Sequence, residues 1–237
     1  MKFKTNKILK YKGDKPVLVM TITNEIFQPV RLYYQLHDIK TVTTIFNKLS
    51  CMQSDASNKR WVWFYEDEAK TIKLKKPYSS IAKEYRPLVI GSFYSKNNNE
   101  MYLDVGSIER AVAALKFFPN YLNKTIATPV YFAIYNKFLN EKEYPGANFD
   151  RLFADVKTEE IEANQQLKIS KTILKLTSNS ADNLEQQDFE LIEALPINIE
   201  DGIKLFEFSL IMRQKVALRR WQGENVTLKD IIHEIAN

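Results

Sequence analysis

The sequence is poor in the residues from which most recognisable catalytic and metal centres are built. It holds one cysteine, Cys51, and two histidines, His37 and His233, in 237 residues. A single cysteine excludes an internal disulfide framework and suits a reducing compartment. Without paired Cys/His spacing, a zinc site of those ligands is not expected. The six glycines stand singly, with no GxGxxG, no Walker pattern and no GxSxG elbow. No apolar run approaches the roughly 20 residues of a membrane-spanning helix. The Lys-rich start is not followed by the apolar region of a secretory signal. The expectations are therefore no metal, no cofactor, no membrane, and a place in the cytoplasm or another reducing soluble compartment.

What is present is an ordinary globular composition with a basic tilt. Hydrophobic residues make up 45% and charged residues 27%, so the chain can bury a core without staples. The net charge is +5 and the pI about 9.0.

The chain is organised around residues 86–135. Leu88 to Tyr94 is β-branched and aromatic, and the polar run 96–100 is turn material. Met101, Leu103 and Val105 then alternate with Tyr102 and Asp104, which predicts a hairpin. Ser107 is a helix N-cap, and Ile108, Val112, Leu115 and Phe118 follow at helical spacing up to Pro119. After Pro129, Val130, Phe132 and Ile134 alternate with Tyr131, Ala133 and Tyr135, a further strand.

An earlier stretch reads the same way. Val17 to Thr23 and Val30 to Leu36 are strand-like, Asp38 is an N-cap, and Ile39, Val42, Phe46 and Leu49 mark a helix. Trp61 to Tyr65 is a strong strand signal, apolar on both faces and hence buried. Setting cap Asp38 on cap Ser107 also sets Tyr33 on Tyr102. This suggests a duplicated ββαβ unit over residues 16–66 and 86–136. The expected fold class is α+β, a mainly antiparallel sheet with helices on one face.

Past Phe138 the pattern changes, and Pro145-Gly146 marks a boundary. The expected organisation is a sheet domain over residues 1–140 and a mainly helical C-terminal region over 141–237 packed on it. Phe149 to Leu176 reads as helical, and 177–202 is acidic without Lys or Arg. Asp201 caps a helix to about Trp221 that Gly223 stops, and Thr227 caps a last short helix. The basic end of the long helix, Arg213 to Arg220, is expected to pair with the acidic region that ends at Glu193.

Two basic stretches suggest partners. Residues 1–15 carry six lysines against one acid. Residues 66–86 hold Lys70, Lys73, Lys75, Lys76, Lys83 and Arg86, with Tyr78 among them. Such clusters attract phosphate, and lysines also keep sheet edges from aggregating. His37, beside cap Asp38, is the one candidate general base. Cys51 follows an apolar helix face and reads as a small core residue. Repeated α+β units with basic loops resemble, at the level of fold, RNA-binding and RNA-processing proteins of ferredoxin-like fold. The Gly-rich loop and aromatic sheet motif of those proteins are not found here. The leading expectation is a non-enzymatic binding or regulatory protein acting on nucleic acid, RNA first, or on a protein partner. The alternatives are a metal-independent ribonuclease-like enzyme using His37 and a structural or assembly protein.

Overall fold

The structure is a computed structural model describing residues 6–8, 17–55, 59–157, 191–197 and 203–236. Nine strands are described: β1 Asn6–Ile8, β2 Val19–Thr21, β3 Val30–Leu36, β4 Met52–Ser54, β5 Arg60–Phe64, β6 Val89–Ser95, β7 Glu100–Val105, β8 Ala127–Tyr135 and β9 Ile192–Pro196. The helices are α1 Ile39–Lys48, α2 Ile108–Phe117, the single turn α3 Phe149–Leu152, α4 Ile203–Trp221 and α5 Leu228–Ala236. Most of residues 1–15, and the expected helix beyond residue 157, lie outside the described residues, as does the acidic run from Asp182 to Glu190.

Seven strands form one sheet in the order β4-β5-β6-β7-β3-β8-β9, every neighbouring pair antiparallel. Within it, β3-α1-β6-β7-α2-β8 has the β-α-β-β-α-β order of a split βαβ sheet, with spatial order β8-β3-β7-β6. The β4–β5 hairpin and three short 3-10 turns are inserted between α1 and β6 and widen the sheet at that edge.

The two expected repeats differ in their first strand. In the second, β6 and β7 form the hairpin as read from the sequence. In the first, β2 pairs with β1 in a separate two-stranded sheet instead of with β3. The helix starts do match: the Asp38 carboxylate accepts from the Thr41 N–H at 3.0 Å, and the Ser107 hydroxyl accepts from the Arg110 N–H at 3.2 Å. Each satisfies a donor that the first helical turn leaves without an internal partner.

Both helices pack on the same face of the sheet. Phe46 of α1, Phe93 of β6, Trp63 of β5 and Phe118 after α2 meet with ring centroids 4.8–4.9 Å apart along that chain. Trp61 and Trp63 are buried there, and Val62 and Phe64 are buried on the opposite face, as a central strand requires. Cys51 is buried in the same core, where loss of water pushes its thiol up to about 12, so it packs and does not react. Gly91 lets β6 lie close to β7: a Cβ there would come within 2.9 Å of the Leu103 side chain.

The C-terminal region joins this sheet. β9 pairs with β8, and α4 delivers Phe206 and Leu210 to the helix-side core, the Phe206 ring standing edge-on to Phe132 at 5.0 Å. Arg213 of α4 donates to both carboxylate oxygens of Glu193 on β9 at 2.7 Å, the pairing expected between the basic helix end and the acidic region. Arg219 turns instead to Glu224 and Glu234. Gly223 ends α4 with φ +94°, a left-handed conformation that only glycine adopts freely. Among the described residues, no helix is long and apolar enough to cross a membrane.

Candidate functional site

The sheet face turned away from α1 and α2 carries the chemistry. Side chains alternate along each strand, so the paired positions of neighbouring strands form rows across the sheet. One such row runs Arg60, Tyr94, Tyr102, Tyr33, Tyr131, Pro196, one residue from each of six adjacent strands. All four tyrosines are half-buried. Tyr94 and Tyr102 stack at 5.2 Å with an interplanar angle of 20°. The Arg31 guanidinium lies 4.0 Å from the Tyr102 ring centre and that of Arg60 lies 5.5 Å from Tyr94. The order cation, ring, ring, cation is held by the attraction of each guanidinium to the electron-rich ring face. Tyr33 tilts against Tyr102 at 6.4 Å and lines an open hollow of about 260 Å³ with Gln35, Lys96 and Tyr131.

The next row on the same face is charged: Ser92, Asp104, Arg31, Ala133. Arg31 Nε and Nη2 donate to the two Asp104 oxygens at 2.7 and 3.0 Å, and Nη2 also donates to Asp150 Oδ1 at 2.9 Å. Burial pushes the Asp104 carboxyl up to about 6 against the pull of Arg31. Burial likewise holds the Tyr33 and Tyr102 hydroxyls up at about 12, so both stay protonated donors at neutral pH.

Asp150 belongs to α3, whose start is fixed by the Asn148 side chain accepting from the Asp150 and Arg151 N–H groups. The segment 136–157 is anchored over this face by Phe27, whose ring meets Tyr144 at 5.1 Å and Phe149 at 6.5 Å. A cavity of about 320 Å³ remains between this segment and β6–β7. Arg60, Ser92, Tyr94, Asp104, Asp150 and Phe149 line it, together with Gly91, Gly106 and Arg110. Arg60 Nη2 donates to the Ser92 hydroxyl at 3.1 Å, and among the described residues its buried Nε–H has no hydrogen-bond partner. No carboxylate among the described residues pairs with Arg60, whereas Arg31 holds two.

A second buried charged pair adjoins the cavity through Arg110. Glu25 is 0% exposed and accepts from the hydroxyls of Thr21 and Thr23. Arg110 Nε stands 3.3 Å from it, and Arg110 Nη2 donates to Thr23 at 2.8 Å. Asn24 makes the turn with φ 70°.

The residues singled out from the sequence stand elsewhere. The loop 66–86 lies toward the helix side, where its Leu74 and Ile81 enter the core. Tyr78 is flanked by Arg86 at 4.2 Å and Lys70 at 4.7 Å, and its hydroxyl donates to Glu66. Lys75 pairs with Glu109 of α2 at 2.8 Å. Lys73, Lys76 and Lys83 are exposed. The loop thus brings Lys70, Tyr78 and Arg86 together and leaves the other lysines spread along it. His37 is exposed at the end of β3, with the Thr128 hydroxyl 3.2 Å from its Nε2. Among the described residues no group of His, Cys, Asp and Glu is arranged to hold a metal ion.

Sequence reasoning missed the tyrosine row and Arg60. The alternation that put Tyr102 with Asp104, and Tyr131 with Ala133, was visible; the strand order that aligns them is not a local property. In comparisons with family models, with curated proteins and with solved structures, no match to this chain is found.

Proposed function

We propose that this protein is a non-enzymatic binding protein for single-stranded RNA, which it takes across the tyrosine-bearing face of the sheet. The observation that carries the reading is the row of four tyrosines at mutually paired positions, ended by Arg60. Single strands are bound by aromatic rings on which bases stack and by cations that meet the phosphates. Here Tyr33 offers a ring beside an open hollow, and Arg60 offers a cation that pairs with no carboxylate among the described residues. Tyr33 and Tyr102 stand at paired places on the two central strands. The loop lysines Lys73, Lys76 and Lys83, toward the helix side, contribute through the net charge of the protein alone.

The test is fluorescence anisotropy with a labelled nine-nucleotide RNA at low salt. Tyr33→Ala is expected to weaken binding about tenfold, the loss of one base–aromatic stack. Equal affinity for the variant, or no binding by the parent protein, overturns the reading. Duplex RNA of the same length serves as the comparison and is expected to bind more weakly.

A second reading, a protein partner, is favoured by α4, which leaves Leu205, Phe208 and Ile211 exposed at 56%, 46% and 38%. Apolar residues at that spacing form a stripe of the kind that meets a partner. Replacing Leu205 and Phe208 by Glu would remove that contact and leave RNA binding as it was.

A further inference from the structure

The cavity beside the tyrosine row has a composition that a phosphate does not fit. Three guanidinium groups, Arg31, Arg60 and Arg110, stand in or against it, and three carboxylates, Glu25, Asp104 and Asp150, balance them. An added phosphate would bring uncompensated negative charge next to Asp104 and Asp150, and at Asp104 burial already disfavours charge. A neutral, planar group with both donors and acceptors on its edge meets no such penalty. Arg60 lines the cavity with a guanidinium that no carboxylate among the described residues pairs. Ser92 offers its hydroxyl proton, since its oxygen already accepts from Arg60. Asp150 holds Arg31 and Tyr102 through Oδ1, which leaves Oδ2 to accept. The volume of about 320 Å³ is at the small end of ligand pockets, and the walls include the Tyr94 and Phe149 rings.

We propose that this cavity is a base-reading pocket, filled by one guanine of the bound strand. Guanine is the base whose edges carry two acceptors, O6 and N7, which arginine recognises, beside N–H donors that suit a carboxylate. Arg60 meets O6 and N7, and Asp150 accepts from the N–H groups of the Watson–Crick edge. The neighbouring hollow at Tyr33 lies on the other side of the Tyr94–Tyr102 stack, so a strand crossing the row places one nucleotide in each recess. The inference rests on the RNA reading and adds a sequence preference to it.

The experiment compares U9 with nine-nucleotide RNAs carrying a single central G, A or C, by anisotropy at fixed salt. In parallel, binding of guanosine and adenosine monophosphate is measured by calorimetry. The single G is expected to raise affinity about tenfold or more over U9, a bidentate contact's worth of discrimination. Arg60→Gln should erase that preference, so that the RNA with the single G binds the variant no better than U9 does, with circular dichroism confirming that the variant is folded. If all four RNAs bind alike and Arg60→Gln changes nothing, the pocket assignment is wrong and the RNA reading stands. If no RNA binds but guanosine monophosphate binds in preference to adenosine monophosphate, the pocket stands and the RNA reading falls. Binding of neither overturns both.

Discussion

The two faces of the sheet are made by the same strands and obey different rules. On the helix side, Leu32, Trp63, Phe93 and Phe118 fill space, and their partners are rings and methyl groups. On the other side, Arg31, Tyr33, Tyr94, Tyr102 and Asp104 satisfy one another's polar atoms. The first arrangement is what a fold of this size needs to be stable. The second is not, because a buried ion pair seldom stabilises more than apolar residues of the same volume. A face that keeps costly charges without need is where a binding function is to be sought.

The largest effect that would sharpen this contrast comes from Phe118→Ala. It removes a ring that touches Phe46, Trp63 and Phe93, and should cost about 3–5 kcal/mol in urea unfolding. RNA affinity of the folded fraction should not change.

Arg31→Ala is expected to cost nearly as much, about 3–5 kcal/mol, because it strands Asp104 in a buried place. The double replacement Arg31→Met with Asp104→Leu should restore stability to the parent level or above while RNA binding is lost. A double variant as unstable as the single one would break the comparison, since the charges would then hold the fold.

The pH dependence gives a smaller effect with a definite sign. The Asp104 carboxyl titrates near 6 in the folded protein, above its ordinary value of 3.8. A carboxyl raised by folding favours the folded state below the unfolded value and loses that contribution as pH rises through about 6. The stability difference between the parent and Asp104→Asn should therefore be greater at pH 4 than at pH 7. A carbon-13 titration of the Asp104 carboxyl with a midpoint below 4 would contradict it.

The smallest effect on stability is expected from reversing Lys73, Lys75 and Lys76 to Glu. Among the described residues only Lys75 of the three has a carboxylate partner, at Glu109, and exposed pairs contribute about 0–1 kcal/mol. Binding should weaken only slightly and alike for every RNA, through the lower net charge alone, because the loop lies toward the helix side. A loss confined to G-containing RNA would place base reading on the wrong face.

How much of this was legible in the sequence follows the range of each interaction. Caps are local, so Asp38 and Ser107 could be read directly, and laying one on the other brought Tyr33 to Tyr102, which are cross-strand partners. The apolar pattern on both sides of Trp61–Phe64 foretold a buried strand. Pairing β2 with β1 instead of β3 could not be read, because a three-residue strand carries too little pattern to choose a neighbour. Arg60 was passed over for the same kind of reason. In the chain it follows a polar loop, and only the pairing of β5 with β6 sets it over Tyr94.

The position of β3 has a consequence in time. It is an early strand, yet it lies between β7 and β8, and Arg31 stands 73 residues before the Asp104 it must meet. On a ribosome, β3 emerges and waits with Leu32 and Tyr34 uncovered while both its partners are still being made. The β6–β7 hairpin and α2 can form locally as they appear, and β3 must then enter the gap before β8 closes it from the other side. Long-range pairing of this kind slows folding and leaves apolar strands open to wrong partners. For this chain the hazardous interval of synthesis lies between the completion of α1 and the arrival of β8, the window in which a chaperone would find most to hold.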